Sequence, residues 1–463
     1  SATSDTDTVV AYSVAGTASN GGVDYNTTFS GTVTISAGDT EAFIDVTNIV
    51  DDAIVEVDET VEITLDSITA GDAGITLGTA TDTINIVDND SATVSIAGTT
   101  DANEAGTLPG QFTVTQSATS DTDTVVAYSV AGTASNGGVD YNTTFSGSVT
   151  ISAGDTEAFI DVTKIVDDAL VELDETVEIS LDSITAGDAG ITLGTATDTI
   201  NIVDNASATV SIAGSVVATE AGPSNGQFTV TQTAESSSDT VISYSVAGTA
   251  TNGGTDYNTT FSGSVTISAG ATTATIDVTN IVDDAVVELD ETVEITLDSI
   301  TAGDAGITIG TATDTINIVD NDSATVSIAG SVDATEAGTV SGQFTVTQTA
   351  VSSSDTDISY TVAGTATNGG ADYNTTFSGS VTIAAGATTA TIDVTGIVDD
   401  AIVELDETVE ITLDSITAGD AGITIGTATD TINIVDNDSA TVSIAGSVDA
   451  TEAGPSNGQF TVT

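Results

Sequence analysis

Clustered carboxylates recur along this chain at a fixed spacing. One stretch runs from Asp167 to Glu175 and reads DDALVELDE, and closely related stretches begin at Asp51, Asp283 and Asp399. Carboxylates at this density repel one another unless a cation lies among them. About six to eight hard oxygen ligands in a flexible geometry suit Ca²⁺, whereas Zn²⁺ favours His or Cys, and the sequence has neither. Solvated turn acids are the alternative for any single pair, but the fourfold recurrence favours calcium.

The spacing of these clusters follows an internal repeat. The block SATVSIAG begins at Ser91, Ser207, Ser323 and Ser439, which gives a period of 116 residues. A fixed period of domain size is typical of a tandem array. We predict complete repeats at 91–206 (second), 207–322 (third) and 323–438 (fourth). Residues 1–90 form a first repeat without its first two strands, and residues 439–463, the terminal segment, hold the first two strands of a further repeat.

Alternating apolar and polar residues within each repeat predict β-strands. Gly-rich turns separate these segments, and no long window has a helical apolar stripe. About seven strands in 116 residues predict an all-β fold, a tandem array of immunoglobulin-like β-sandwich domains. The strands predicted for the second repeat are residues 92–96, 111–115, 125–130, 148–152, 158–162, 176–181 and 199–203.

The charge balance narrows the possible partners. Seventy acidic residues oppose one base, Lys164, for a formal net charge of −69. Nucleic acid is excluded because phosphate contacts require basic side chains, and no apolar run is long enough to insert this segment into a membrane. The absence of Cys fits an exported bacterial protein, so we expect an extracellular or cell-surface location. With neither His nor Cys and no nucleophile–base pair, we predict that the chain is not an enzyme.

The acidic stretches also carry a family resemblance. The run G-x-D-Y, followed by I-V-D-D-x-x-x-E-x-D-E and a closing I-x-D-N-D, resembles the Calx-beta domain. The resemblance implies a calcium-binding, immunoglobulin-like sandwich of the kind found in sodium–calcium exchangers and in repeated bacterial surface proteins. It covers the whole chain and recurs in each repeat.

The resemblance implies a set of metal ligands at matching positions of each repeat. In the first repeat these are Asp24, Asp51, Asp52, Glu56, Glu59, Asp88 and Asp90. In the second they are Glu104, Asp140, Asp167, Asp168, Glu172, Glu175 and Asp204. In the third they are Glu220, Asp256, Asp283, Asp284, Glu288, Glu291, Asp320 and Asp322. In the fourth they are Glu336, Asp372, Asp399, Asp400, Glu404, Glu407, Asp436 and Asp438, and Glu452 follows in the terminal segment. The second repeat departs from the pattern at Ala206, where the others have Asp, which weakens the expectation of a second calcium position there.

These observations favour a structural function. We expect a calcium-stiffened extracellular array that serves as a filament shaft or an adhesin stalk in cell-surface attachment. A calcium-sensing regulatory module is the alternative, and an adhesive tip is a third possibility, but near-identical copies favour the structural one. The partners expected are calcium ions and copies of the chain itself. The terminal segment of one copy is predicted to complete the first repeat of the next, either by strand exchange or as the continuation of one longer polypeptide.

Overall fold

The computed structural model describes residues 2–454 and 456–463. Ser1, at which the first repeat was predicted to begin, and Pro455 of the terminal segment lie outside the described residues. The described chain is all-β, as predicted, with 51% of residues in strands and no helix. None of its elements is therefore a helix that could cross a membrane.

Strands follow one another in the same order in each complete repeat. The first repeat contains β1 (Thr8–Ala15), β2 (Thr32–Ile35), β3 (Glu59–Ala70) and β4 (Thr81–Ile86). The second contains β5 (Ala92–Thr100), β6 (Ala102–Asn103), β7 (Gly110–Gln116), β8 (Thr124–Ala131), β9 (Ser148–Ile151), β10 (Glu157–Val162), β11 (Glu175–Ala186), β12 (Ile191–Leu193) and β13 (Thr197–Val203). The third contains β14 (Ala208–Val216), β15 (Ala218–Thr219), β16 (Gly226–Gln232), β17 (Thr240–Ala247), β18 (Ser264–Ile267), β19 (Thr273–Val278), β20 (Glu291–Ala302), β21 (Ile307–Ile309) and β22 (Thr313–Val319). The fourth contains β23 (Ala324–Val332), β24 (Ala334–Thr335), β25 (Gly342–Gln348), β26 (Thr356–Gly364), β27 (Ser380–Ile383), β28 (Thr389–Val394), β29 (Glu407–Ala418), β30 (Ile423–Ile425) and β31 (Thr429–Val435). The terminal segment contains β32 (Ile444–Val448) and β33 (Gln459–Val462).

Each complete repeat is a sandwich of a four-stranded and a five-stranded sheet. In the second repeat the sheet orders are β10-β7-β5-β12 and β6-β13-β11-β8-β9. Alternation places Val177, Ile179 and Leu181 of β11 inside. They face Phe112 and Val114 of β7 in one apolar core. The period-2 pattern of the sequence thus corresponds to one buried and one solvated face of each sheet.

Two short strands were absent from the sequence prediction. All seven predicted segments of the second repeat are strands, but β6 and β12 are additional. They pair in parallel with β13 and β5 respectively, at the sheet edges. Because they are only two and three residues long, they have no alternation that a sequence pattern can reveal.

The first repeat and the terminal segment each have half of this arrangement. The first repeat has a single sheet of order β2-β1-β3-β4, and its residues 41–46, which match β10, do not form a strand. The terminal segment is a two-stranded antiparallel hairpin, β32 with β33, that matches the hairpin of β5 with β7.

Contacts between Cα atoms divide the chain into two compact units. The first unit comprises residues 1–208, 234–238 and 304–307, and the second comprises residues 209–233, 239–303 and 308–463. Because this division does not follow the 116-residue period, the repeat boundaries given by the sequence stay predictions. The loops 234–238 and 304–307 of the third repeat belong to the unit that contains the second.

Candidate metal centre

Three carboxylates meet in each of the first three repeats. In the second repeat they are Asp140, Glu172 and Glu175, whose nearest ligand atoms all lie within 4.8 Å of one another. The same grouping occurs in the first repeat as Asp24, Glu56 and Glu59, and in the third as Asp256, Glu288 and Glu291. We call this the Asp-Glu-Glu cluster. It brings together residues that lie more than thirty positions apart in the chain.

A tight loop holds the aspartate of this cluster. Gly137 and Gly138 adopt φ values of 113° and 95°, and their N–H groups donate to the Tyr141 carbonyl at 3.0 and 2.9 Å. This conformation favours glycine. The Ser135 N–H donates to Oδ2 of Asp140. The buried Tyr141 ring packs edge-on against Phe145, with centroids 6.2 Å apart, so the apolar end of the sandwich fixes the position of Asp140.

The two glutamates come from the acidic loop, residues 167–175. Oδ1 of Asp168 accepts a hydrogen bond from the Leu170 N–H at 2.7 Å, which closes a local turn. Oδ2 of Asp204 accepts from the Glu172 N–H at 2.9 Å. Glu175 is the first residue of β11. The loop is therefore shaped by the carboxylates that the sequence analysis selected.

A second cluster lies nearby in the third and fourth repeats. It joins Glu220 with Asp320 and Asp322, whose nearest oxygens also lie within 4.8 Å; the fourth-repeat equivalent is Glu336, Asp436 and Asp438. We call this the Glu-Asp-Asp cluster. The short β15 pairs in parallel with β22 and so places Glu220 beside the end of that strand, which is how an edge strand missed by sequence analysis positions a ligand.

Burial and mutual repulsion disfavour the ionised forms of the carboxyl groups in these clusters. Burial first, and then the charge of Asp320, raise the pKa of Glu220 to about 7. Burial and the charge of Asp256 likewise raise the pKa of Glu291 to about 7. Oδ2 of Asp322 and Oδ2 of Asp438 are buried without a hydrogen-bond donor. Crowded carboxylates with orphaned acceptor oxygens match the oxygen donor set of a divalent cation such as Ca²⁺.

The structure places the remaining predicted residues around the same clusters. In the second repeat, burial and then the charges of Asp204, Asp168, Glu172 and Asp167 raise the pKa of Glu104 to about 7. In the third, Asp284 and Asp283 are among the charges that raise the pKa of Asp322 after burial. In the first, Asp88, Asp51 and Asp52 act in this way on Asp90, again after burial. In the fourth, burial and then the hydrogen bond and charge of Asp372, with the charges of Glu404 and Glu336, raise the pKa of Glu407 to about 7. Burial and then the charges of Asp436, Asp399 and Asp400 raise the pKa of Asp438.

Two positions differ from this arrangement. Ala206 brings no carboxylate to the second repeat, although its N–H donates to Oδ1 of Asp204 at 2.7 Å, as the Asp322 N–H does to Asp320 at 2.9 Å. Glu452 is exposed on the terminal segment. The ligand role of each residue stays a prediction.

A backbone clamp joins the acidic loop to the following repeat, and sequence analysis missed it. Within the first unit, the Val171 N–H donates to the Glu235 carbonyl and the Ser237 N–H donates to the Val171 carbonyl, both at 3.0 Å. Val55 and Val287 make equivalent bridges, and all three valines are fully buried. The available signal was an apolar residue retained at the same place in each acidic loop.

A buried aspartate in the following repeat lies close to this clamp. Asp304 accepts hydrogen bonds from the N–H and Oγ of Ser238 at 2.9 and 2.6 Å. Its charge contributes to the raised pKa of Glu172, after burial and nearer carboxylates. Asp188 and Asp420 occupy the matching positions and are also buried. These aspartates were not selected from the sequence because they lie in an ordinary Gly-rich turn.

Comparison with known proteins identifies a family whose model matches most of the chain. The family model described as the Calx-beta domain matches residues 1–90, 93–206, 207–322 and 329–438. The crystal structure of CBD12 from CALX1.2 is 18% identical, with 49% of this chain and 99% of that chain covered and a TM-score of 0.23. The calcium-binding domain CBD12 of CALX1.1 is 16% identical over the same shares, also with a TM-score of 0.23. Native E. coli alpha-2-macroglobulin is 7% identical, covers 95% of this chain and 29% of its own, and has a TM-score of 0.18. No curated protein sequence matches.

Proposed function

This chain belongs to the Calx-beta domain family, and on that premise we propose that it is a calcium-stiffened structural array. The observation that carries the proposal is that one loop both groups carboxylates and clamps the next repeat. Residues 167–175 hold Glu172 and Glu175 for the Asp-Glu-Glu cluster, and Val171, which directly precedes Glu172, forms the backbone bridge. A cation that orders this loop therefore also orders the junction.

The residues present fit calcium. In the third repeat, Asp256, Glu288 and Glu291 would hold one ion, and Glu220, Asp320 and Asp322 would hold another, since each set offers three closely spaced carboxylates. Bound calcium supplies positive charge that compensates their repulsion. The chain's own residues supply the rest: the backbone N–H groups of Glu288 and Asp322 donate to Asp320 and orient its carboxylate, and Glu220 is buried.

Repetition favours a shaft over a recognition surface. Near-identical acidic loops occur in all four repeats, and the clamp occurs where Val55, Val171 and Val287 meet a following repeat. We propose that the array forms a filament shaft or adhesin stalk outside a bacterial cell, where calcium is abundant enough for modules of modest affinity. We assign no catalytic role, and we propose that copies of the chain join end to end.

A calcium-sensing regulatory module is the second candidate. The observation that favours it is the inequality of the sites: the second repeat has Ala206 where the third has Asp322. Repeats that fill at different calcium concentrations would give a graded response rather than uniform stiffening.

The test is the flexibility of the chain with and without calcium. Spin labels at two exposed positions, one in the second repeat and one in the third, report the distance distribution across one junction. We expect a narrow distribution in calcium, a broad one in chelator, and little narrowing with Mg²⁺, which keeps its water ligands. A distribution that is equally narrow in calcium and in chelator refutes stiffening. Val171→Gly, which retains every carboxylate but weakens the clamp, should bind calcium and remain broad.

A further inference from the structure

The sheet of the first repeat has an uncovered apolar face. Ile84 of β4 is 55% exposed, whereas its equivalent in the second repeat, Ile200, is 2% exposed. Ile49 is likewise exposed, whereas its equivalent Ile165 is buried. In the second repeat this face is covered by the hairpin of β5 with β7, which places Phe112 and Val114 in the core. Residues 2–90, as the structure describes them, hold no equivalent of this hairpin, whose shape is known from the second repeat.

The terminal segment has the apolar side chains of that cover. Phe460 of β33 is 71% exposed, whereas the equivalent Phe112 is fully buried. Val442, Ile444 and Val462 of the segment are also exposed, whereas their equivalents Val94, Ile96 and Val114 are buried. A hairpin with this composition is not stable alone in water.

The two surfaces match in detail. In the second repeat, Ile200 fits a gap left by Gly98 and Gly110, since an added Cβ at either glycine would lie 2.6 or 2.4 Å from the isoleucine side chain. The same gap recurs in the terminal segment at Gly446 and Gly458, with no isoleucine near either glycine. Ile84 of the first repeat is the residue that would occupy it.

Two further features point to the same partner. The first repeat has a cavity of about 280 Å³ lined by the predicted ligands Asp88 and Asp90, but it lacks the glutamate that Glu220 contributes in the third repeat. Glu452 of the terminal segment has that position in the repeat. In addition, Val403 is 51% exposed, although its equivalents Val55 and Val171 are buried in the clamp.

We propose that the partner of these surfaces is a second copy of this chain. Residues 439–463 of one copy add as a hairpin to residues 1–90 of the next, with Phe460 entering the core, Ile84 filling the glycine gap and Glu452 completing the Glu-Asp-Asp cluster. The backbone of Val403 then bridges to the first residues of the next copy. Such a heterologous contact adds copies head to tail, and it generates an open filament when the rotation between copies does not close a ring. The functional role of this assembly rests on the proposed shaft function.

The test is the assembly state of the chain in calcium, measured by light scattering on size exclusion. We expect a concentration-dependent series of species above 45.6 kDa that dissociates under denaturing electrophoresis to a band near that mass. Phe460→Asp should remain at the mass of one copy at all concentrations. Phe159→Asp is the matched control, because Phe159 is an exposed phenylalanine of β10 outside these surfaces, and it should assemble normally.

A second variant distinguishes addition of the hairpin to the first repeat from non-specific association. Duplicating residues 91–116 ahead of Ser1 covers the face of the first repeat in cis, and assembly should be lost although the terminal segment is intact. Each of three results would overturn the proposal. The parent chain stays at the mass of one copy, assembly persists in Phe460→Asp or in the cis-covered variant, or denaturing electrophoresis shows a far larger polypeptide.

Failure of the strand addition and failure of the proposed function give different results. Melting of the cis-covered variant is recorded with calcium and with chelator. A calcium-dependent rise in melting temperature without assembly of the parent chain contradicts only the strand addition, whereas assembly without any calcium effect contradicts only the calcium-stiffened shaft.

Discussion

Replacing Glu220 by Gln should change stability in opposite directions with and without calcium. Glu220 is 7% exposed and lies within the Glu-Asp-Asp cluster. Without metal, its ionised form is disfavoured by burial and by the charge of Asp320. Glutamine removes that repulsion and keeps the size of the side chain. With calcium, glutamine removes a charged ligand, so the same substitution weakens binding.

The size of the metal-free effect follows from the pKa of Glu220. A rise from 4.5 to about 7 corresponds to about 3 kcal/mol of lost stability at pH 7 when nothing screens it. Because the cluster lies at an end of the repeat that solvent can reach, screening reduces this to about 1–2 kcal/mol. That gain should raise melting of the third repeat by roughly 4–8 °C. In calcium, a tenfold loss of affinity would cost about 1.4 kcal/mol.

Calorimetry at pH 7, in chelator and in excess calcium, measures the change in melting temperature without metal and with metal. Glu294→Gln is the matched control, because it makes the same charge change in the third repeat on β20, outside the two clusters. A shift of the same sign in the two conditions would refute the reasoning, as would an equal response from the control.

Three further outcomes are expected. The metal-free chain should lose stability as pH rises from about 4.5 through 7, because the raised pKa values of Glu104, Glu220 and Glu291 favour the folded state only while these groups hold protons. Excess calcium should reverse this dependence of stability on pH. Unfolding in urea at several pH values measures the free energy of unfolding in both conditions. Ala206→Asp should add a calcium position to the second repeat, seen as a higher stoichiometry by titration calorimetry, because the local N–H bond to Asp204 already matches that of Asp322. Lys164→Asn should stabilise the chain by about 1 kcal/mol in thermal melts, because Lys164 has a φ of 57° that Asn tolerates better; an unchanged melting temperature would contradict this.

The sequence was sufficient for the sandwich because its signals are local. Alternation identified β7, β8 and β11, and the fixed period identified which acidic loops are equivalent. Some of the acids that the family resemblance implies as ligands lie together in the Asp-Glu-Glu and Glu-Asp-Asp clusters, and their role as ligands stays a prediction. Charge density in a short loop is visible without any knowledge of tertiary contacts.

The missed features depend on contacts between distant or neighbouring parts. β6 and β12 are defined by their parallel partners and not by their own residues. The burial of Val171 depends on the backbone of Glu235 and Ser237 in another repeat. Asp304 looks like a turn residue until its hydrogen bonds to Ser238 are seen. No periodic pattern within one repeat contains this information.

The three core strands β7, β16 and β25 have the same sequence, GQFTVTQ, and this identity has a consequence for folding. During refolding from denaturant, each sheet can accept the strand of any other repeat with the same side chains and nearly the same free energy, so misassembled species should accumulate. Synthesis on the ribosome removes most of this choice, because one repeat emerges and folds before the next is complete. The order in which the strands appear, rather than their chemistry, then selects the correct pairing.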